Sequence, residues 1–339
     1  MSYSDALNYL AQKTPVVELY DQLGGRLAVC PEWNGRVLTS TCDGLKGYSF
    51  GCVNVSAVEA ARFEDFGGED QWTISPLVYP FTVASIHEKK AVLQQTLRMT
   101  DARGKPVEFN LTRSVTLLNR QRLGNWFGDA VAEALEQEEV SFIGFRTENT
   151  VRSQEKAHIA SWQRGMFNAS PHAFIVVSTP PRVFVPNDLE YEPFPVEVSY
   201  LGGSPHGRLR HFPQALLLRA DGYGRCQAVI PYSAAPPILG VVELRFGTLT
   251  LCTFDLPGEN NADEDIIRIY NSGGTHTGQL DWTRHYELNC FSATQRLQPE
   301  ESLVYCKHTL HLVADKHILD NLVQQIFDIP LEKFPKDAR

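Results

Sequence analysis

The most regular stretch of the chain runs from Pro106 to Asn119. Val107, Phe109, Leu111, Val115 and Leu117 share one parity, while Glu108, Asn110, Thr112, Ser114 and Thr116 take the other. A period of two is that of a β-strand with one buried and one polar face. Its polar side is built from short hydroxyl and amide side chains, which suits a sheet face lining a wet groove as well as one open to solvent. Shorter β-prone runs precede it at Val16–Leu19, Leu27–Val29 and Arg36–Thr41, broken by Gly24-Gly25, Pro31 and Asn34-Gly35. After it come Phe142–Thr147, Ala173–Ser178, Val196–Tyr200, Ala215–Arg219, Gln227–Ile230, Leu239–Phe246, Leu249–Phe254, Ile266–Ile269, Tyr286–Phe291 and Val304–Leu312. Phe246-Gly247-Thr248 predicts a tight reversal, and Pro or Gly clusters separate most of the other runs. Long helical patterns between strands are missing, so antiparallel strands joined by turns fit better than a parallel βαβ sheet.

Three helical patterns stand apart. Ser2 or Ser4 caps a short helix through about Gln12, which Pro15 ends. Asp129–Glu139, rich in Ala, Leu and Glu, is suited to cover a sheet edge or one end of the fold. Near the C-terminus, Asp315 caps a helix over residues 315–328 whose Ile318, Leu319, Leu322, Val323 and Ile326 recur at three and four residues, and Pro330 stops it. That stripe is expected to dock on the body rather than on a partner. The length allows two average domains, but large sandwiches run past 200 residues as one. No linker, repeat or composition shift divides the chain. Residues 1–339 are therefore expected to form a single large β domain.

Hydrophobic residues make up 43% and charged residues 21%, enough for a sizeable core and unlike a disordered or fibrous chain. The formal charge of -9 repels nucleic acid and acidic membranes at long range, although a local basic patch is compatible with it. The opening MSYSDALNYLAQKTP has no basic leader region and no apolar run near the roughly 20 residues of a bilayer span. A soluble, cytoplasmic protein is expected. Seven cysteines without a CxxC pair read as reduced thiols and weigh against structural zinc.

The segment Tyr286-Glu287-Leu288-Asn289-Cys290-Phe291-Ser292 is followed by Leu297-Gln298-Pro299-Glu300-Glu301-Ser302 and Thr309-Leu310-His311-Leu312. Together they resemble the late strands of galactose mutarotase-like (aldose 1-epimerase-like) proteins, where a Glu-bearing strand leads through a Leu-x-Pro-Gly/Glu-Glu-Ser turn to a final core strand. Trp33-Asn34-Gly35-Arg36-Val37 resembles their opening turn. Phe66-Gly67-Gly68-Glu69-Asp70-Gln71-Trp72 and Thr147-Glu148-Asn149-Thr150 look like an uncharacterised bacterial branch. The resemblance implies an all-β, many-stranded antiparallel supersandwich with a few peripheral helices, binding carbohydrate in a sheet groove. It does not fix the activity, since the same fold serves lyases and glycoside-processing enzymes. The family's Asn-His-Pro-Phe-like and His-Pro-Tyr-Phe-like segments are absent, and by rough position the nearest histidines are His206 and His211.

Glu287 shares a strand face with His285 and Asn289, a carboxylate, imidazole and amide suited to moving protons and holding hydroxyls. Anomer interconversion needs one group to take the proton of the C1 hydroxyl while another protonates the ring oxygen. Glu287 is the candidate base, with His206 or His211 as the acid; the alternative is an exposed Glu paired with Arg284 or Arg296. Glu69 and Asp70 lie between Gly67-Gly68 and Trp72, a Trp beside carboxylates being one way to stack and hydrogen-bond a sugar. On a regular strand the two carboxylates point to opposite faces, and the plainer reading makes them turn residues. Arg36, past the Asn34-Gly35 turn, offers a fork to hydroxyls or a carboxylate, or serves as an internal anchor. His276 and Trp282, in or near a Gly-rich loop, complete the candidate sugar contacts.

Other signatures fail on context. Gly47-Tyr48-Ser49-Phe50-Gly51 matches GxSxG by letters, but the nucleophile elbow needs a strand before the Ser and a helix after it. His308 and His311 point to opposite strand faces, and His276, Asp281 and His285 follow no metal-ligand spacing. Five tryptophans are more often core than platform. No cofactor or metal is expected. The preferred partner is a monosaccharide or short oligosaccharide. Beside an aldose 1-epimerase-like enzyme stand a non-catalytic carbohydrate-binding or structural protein and a lyase or glycoside-processing enzyme.

Overall fold

The computed structural model describes residues 1–73, 79–101, 104–178, 197–199, 208–212, 215–231, 238–256, 265–273 and 284–335. Two antiparallel sheets face each other. The nine-stranded sheet runs Val17–Tyr20, Arg26–Cys30, Arg36–Thr41, Gly68–Thr73, Trp162–Asn168, His285–Phe291, Asp265–Asn271, Cys226–Pro231 and Glu197–Ser199. The ten-stranded sheet runs Leu209–Phe212, Ala215–Arg219, Ala173–Ser178, Ile238–Glu243, Thr248–Phe254, Ser302–Val313, Ser141–Ser153, Pro106–Leu117, Lys90–Thr100 and Thr82–His87. Ala157–Ile159 and Gln295–Leu297 form a small ribbon. This is the antiparallel supersandwich that the resemblance implies. No described helix is long and apolar enough to cross a membrane.

Local rules explain the periphery. Ser2 and Asp5 form a reciprocal capping box on the helix Tyr3–Ala11, satisfying backbone donors that its first turn leaves free. Asp315 accepts from His317 and Ile318 N–H to start Lys316–Phe327, and Ile318, Leu319, Leu322, Val323 and Phe327 bury against the outer side of the ten-stranded sheet. The expected 129–139 helix stops earlier, at Asp129–Leu135, and Arg120–Phe127 comes before it. All seven cysteines are free and buried. Ser49 is a core hydroxyl, 2.6 Å from Thr39 Oγ1.

Val107, Phe109, Leu111, Val115 and Leu117 point into the core, so the hydroxyl-rich side of their strand faces outward from the ten-stranded sheet. Arg113 shares the inward parity and is fully buried. Its partner lies across the sandwich. Arg164 pairs with Gln71 and Met166 with Gly68, so Glu69 and Asp70 together stand opposite Gly165. This β-bulge breaks the alternation expected of a regular strand, and both carboxylates turn inward toward the ten-stranded sheet. Gly67 and Gly68, at φ 91° and 114°, supply backbone angles that other residues resist.

Glu69 Oε2 accepts from Ser40 at 2.8 Å and lies 2.8 Å from His311 Nε2, while His311 Nδ1 lies 2.8 Å from Thr250 Oγ1. Asp70 accepts from Thr147 and pairs with Arg113 at 3.5 Å. Arg113 also donates to Gly35 O at 2.8 Å and to Asn149 at 2.6 Å. Lys307 donates to the Glu69 carbonyl at 3.3 Å. Burial opposes the Lys307 charge, but Asp70, Cys252 and Cys290 together outweigh that opposition and its pKa rises. Two buried carboxylates thus face two buried cations. Arg113→Met removes the ion-pair partner of Asp70 and should cost about 3–5 kcal/mol by urea unfolding. Adding Asp70→Asn should recover part of that loss; an equal or larger loss in the double variant would show that the pair does not act as a unit.

Candidate functional site

The strand His285–Phe291 turns Tyr286, Leu288 and Cys290 into the core and His285, Glu287 and Asn289 outward, away from the ten-stranded sheet. Antiparallel pairing adds neighbours to that outward face. Arg164 lies opposite Asn289 and Trp162 opposite Phe291 on one side. On the other side Arg268 lies opposite Asn289 and Tyr270 opposite Glu287.

Glu287 is the hub. Oε1 pairs with Arg164 and lies 3.2 Å from His285 Nε2, and Oε2 accepts from Asn289 at 3.1 Å. Trp162 Nε1 donates to Asn289 Oδ1 at 3.0 Å, and its ring stacks on Phe291 with centroids 5.6 Å apart. His285 is fixed in turn by its backbone N–H, which donates to Ser272 Oγ at 2.8 Å. Only 10% of the Glu287 side chain and 14% of Arg164 stay open, whereas Trp162, Arg268, Tyr270 and Phe291 are half-buried and form the accessible rim. Burial alone would raise the Glu287 pKa, but the Arg164 guanidinium and the hydrogen bond with His285 overcome it and hold the carboxyl down at about 2. The group is a fixed carboxylate at neutral pH, neither an exposed strand Glu nor a partner of Arg284 or Arg296.

The other sequence candidates lie elsewhere. Glu69 and Asp70 sit between the sheets, and Trp72 is a fully buried core residue whose Nε1 donates to Ser161 at 3.0 Å. Arg36 is fully buried, donates to the carbonyls of Gly67 and Phe63 at 3.1 and 2.9 Å, and lies 4.2 Å from the Phe63 ring centre. It anchors the turn Phe63–Asp65, to which Arg164 also donates through Glu64 O at 3.0 Å. His211 belongs to Leu209–Phe212, the edge strand of the opposite sheet. His206, His276 and Trp282 fall outside the described residues. Among the described residues no group of three His, Cys, Asp or Glu side chains is placed to hold a metal ion.

Sequence reasoning missed Trp162, Arg164, Arg268 and Tyr270. Trp162, Arg164 and Met166 alternate with Gln163, Gly165 and Phe167, but Gly165 and the short run hide the strand period. A cleft of about 840 Å³ opens elsewhere, lined by residues including Tyr20, Leu23, Lys89, Arg120 and Phe142. It carries no comparable convergence of a buried carboxylate, imidazole, amide and stacked aromatics.

A family model described as "Family of unknown function (DUF6786)" matches residues 1–83 and 77–337. A comparison with curated protein sequences gives no match. Among solved structures, the Slr1438 protein from Synechocystis is similar with a TM-score of 0.52 and 12% identity, over 89% of this chain and 96% of that one. A galactose mutarotase-like protein from Lactobacillus casei is similar with a TM-score of 0.50 and 8% identity, over 88% of this chain and 99% of that one. At these identities the likeness shows the fold, a galactose mutarotase-like supersandwich.

The Glu287 ion pair predicts an acid-sensitive contribution to stability. The folded pKa lies below the unfolded value of 4.5, so the contribution is full above about pH 4.5 and is lost as pH falls toward about 2. At about 1.4 kcal/mol per unit it amounts to roughly 3 kcal/mol. Glu287→Gln should lower stability at pH 7 and flatten the decline across that acid window in denaturant titrations. Parallel pH profiles for the two proteins would contradict the ion pair.

Proposed function

The chain belongs to the family of unknown function (DUF6786), and since that membership hands down no activity, we propose from the fold and this face that it binds a carbohydrate. The observation that carries the reading is the Glu287 carboxylate, ionised, fixed by Arg164 and Asn289, and set near the stacked Trp162–Phe291 pair. A sugar presents hydroxyls that donate to carboxylates and accept from guanidinium or amide N–H groups. Its C–H face is apolar enough to lie on an aromatic ring. Both complements stand on one sheet face, with polar groups few and fixed as small-ligand sites require. The ligand class is a monosaccharide or short oligosaccharide, and the reading needs no cofactor or metal.

A second reading, aldose 1-epimerase-like interconversion of anomers, draws on the His285–Glu287 contact at 3.2 Å. Glu287 would take the C1 hydroxyl proton while His285 protonated the ring oxygen, with roles reversed after rotation of the open-chain aldehyde. A carboxylate held at about pKa 2 is a weak base at neutral pH, which ranks binding ahead of catalysis. Glycoside hydrolysis ranks lower. It commonly needs a second carboxylate across the sugar, and Glu69 and Asp70 are turned inward.

Calorimetric titration with an aldose panel should detect binding, and Trp162→Ala should weaken it about tenfold by removing the ring platform. Absence of binding across the panel, or unchanged affinity in Trp162→Ala, would contradict the carbohydrate reading. NMR exchange between sugar anomers separates the two readings. Rates equal to buffer leave binding alone, whereas catalysis that falls about 10²–10⁴-fold in Glu287→Gln establishes the enzyme.

A further inference from the structure

Among the described residues the charge on the outward face is lopsided. Arg164 is matched by Glu287, but two more guanidinium groups stand on the same face. Arg268 shares it by pairing with Asn289, and its guanidinium carbon lies 5.5 Å from the Phe291 ring centre. Arg225 lies two residues before Gln227, which pairs with Tyr270, and its guanidinium carbon lies 5.8 Å from the Tyr270 ring centre. Both arginines are half-buried, and each has a buried Nε without a hydrogen-bond partner. Among the described residues neither forms an ion pair. Arg36 forms no ion pair among the described residues; burial, then the Arg164 charge, pushes its pKa down to about 9, against a smaller opposing pull from groups that include Asp65. Glu197 takes a register position on this face, opposite Val229 on the edge strand.

The excess is local, because the chain as a whole carries a formal charge of -9. Guanidinium groups resting on rings keep N–H edges free for planar or tetrahedral oxyanions, which they bind with charge-assisted hydrogen bonds. A neutral sugar would leave both arginines unmatched in a partly desolvated site. An oxyanion on the sugar would match them while leaving Glu287 and Asn289 for hydroxyls. On the carbohydrate reading above, we propose that the ligand is an anionic sugar whose carboxylate or phosphate is received by Arg268 and Arg225.

The test is calorimetric titration with glucose, galactose, their uronic acids, their 6-phosphates and inorganic phosphate. A uronic acid or a sugar phosphate should bind at least about tenfold more tightly than its neutral parent, and which of the two does so identifies the oxyanion. The preference should shrink as salt rises from about 20 to about 500 mM. Arg268→Gln, checked for native circular dichroism, should remove most of the preference, and Arg268→Lys should restore part of it. Equal affinity for neutral and anionic sugars would overturn this proposal and leave the carbohydrate reading intact. Inorganic phosphate binding as tightly as every sugar would overturn both readings, as would no binding at all. Should Arg268→Gln misfold, loss of the preference in Arg225→Gln decides instead, and its persistence there overturns the assignment.

Discussion

One extra residue opposite Gly165 sets the polar organisation of the sandwich. The bulge turns Glu69 and Asp70 together into the interior, where isolated carboxylates would be prohibitively costly. Ser40 and His311 hold the first, and Thr147 and Arg113 the second, so the bulge ties the Gly68–Thr73 strand to three strands of the opposite sheet. Gly165 makes room for this arrangement. A Cβ there would lie 2.8 Å from the Glu69 carbonyl and 2.9 Å from the Phe167 ring. Because the extra residue is absorbed at the bulge, Gln71 remains paired with Arg164, whose side chain continues outward to Glu287.

Inside and outside then follow different electrostatic rules. Between the sheets, Glu69 and Asp70 are balanced by Arg113 and Lys307, as low-dielectric burial demands. On the outward face Glu287 is balanced by Arg164, but among the described residues Arg225 and Arg268 rest on aromatic rings and form no ion pair. The first arrangement holds two sheets together. The second leaves donors for something that is not part of the described chain, and this contrast supports a ligand on the outward face.

Much of the fold was legible because strand parity survives in single runs. The Pro106–Leu117 and His285–Phe291 strands turn their apolar positions inward, and parity alone placed His285, Glu287 and Asn289 on one face. The same rule misplaces Glu69 and Asp70, because a bulge is invisible until the partner strand is known. Arg113 carried a usable signal: a charge at the core parity of its strand calls for a buried counter-charge. Trp72 and Arg36 read equally well as site or scaffold from sequence, and contacts formed across long separations decide for scaffold. Trp162 and Arg164 join Glu287 only through pairing between strands far apart in the chain, and Arg268 through pairing with the next strand. No local spacing records that pairing.

The most direct test of the central claim is a crystal structure of the protein soaked with the tightest-binding sugar. A sugar ring is expected against Trp162 or Phe291, with hydroxyls within hydrogen-bond distance of Glu287 and Asn289. A sugar bound instead in the cleft between Tyr20 and Arg120, with the Glu287 face unoccupied at saturating ligand, would contradict it.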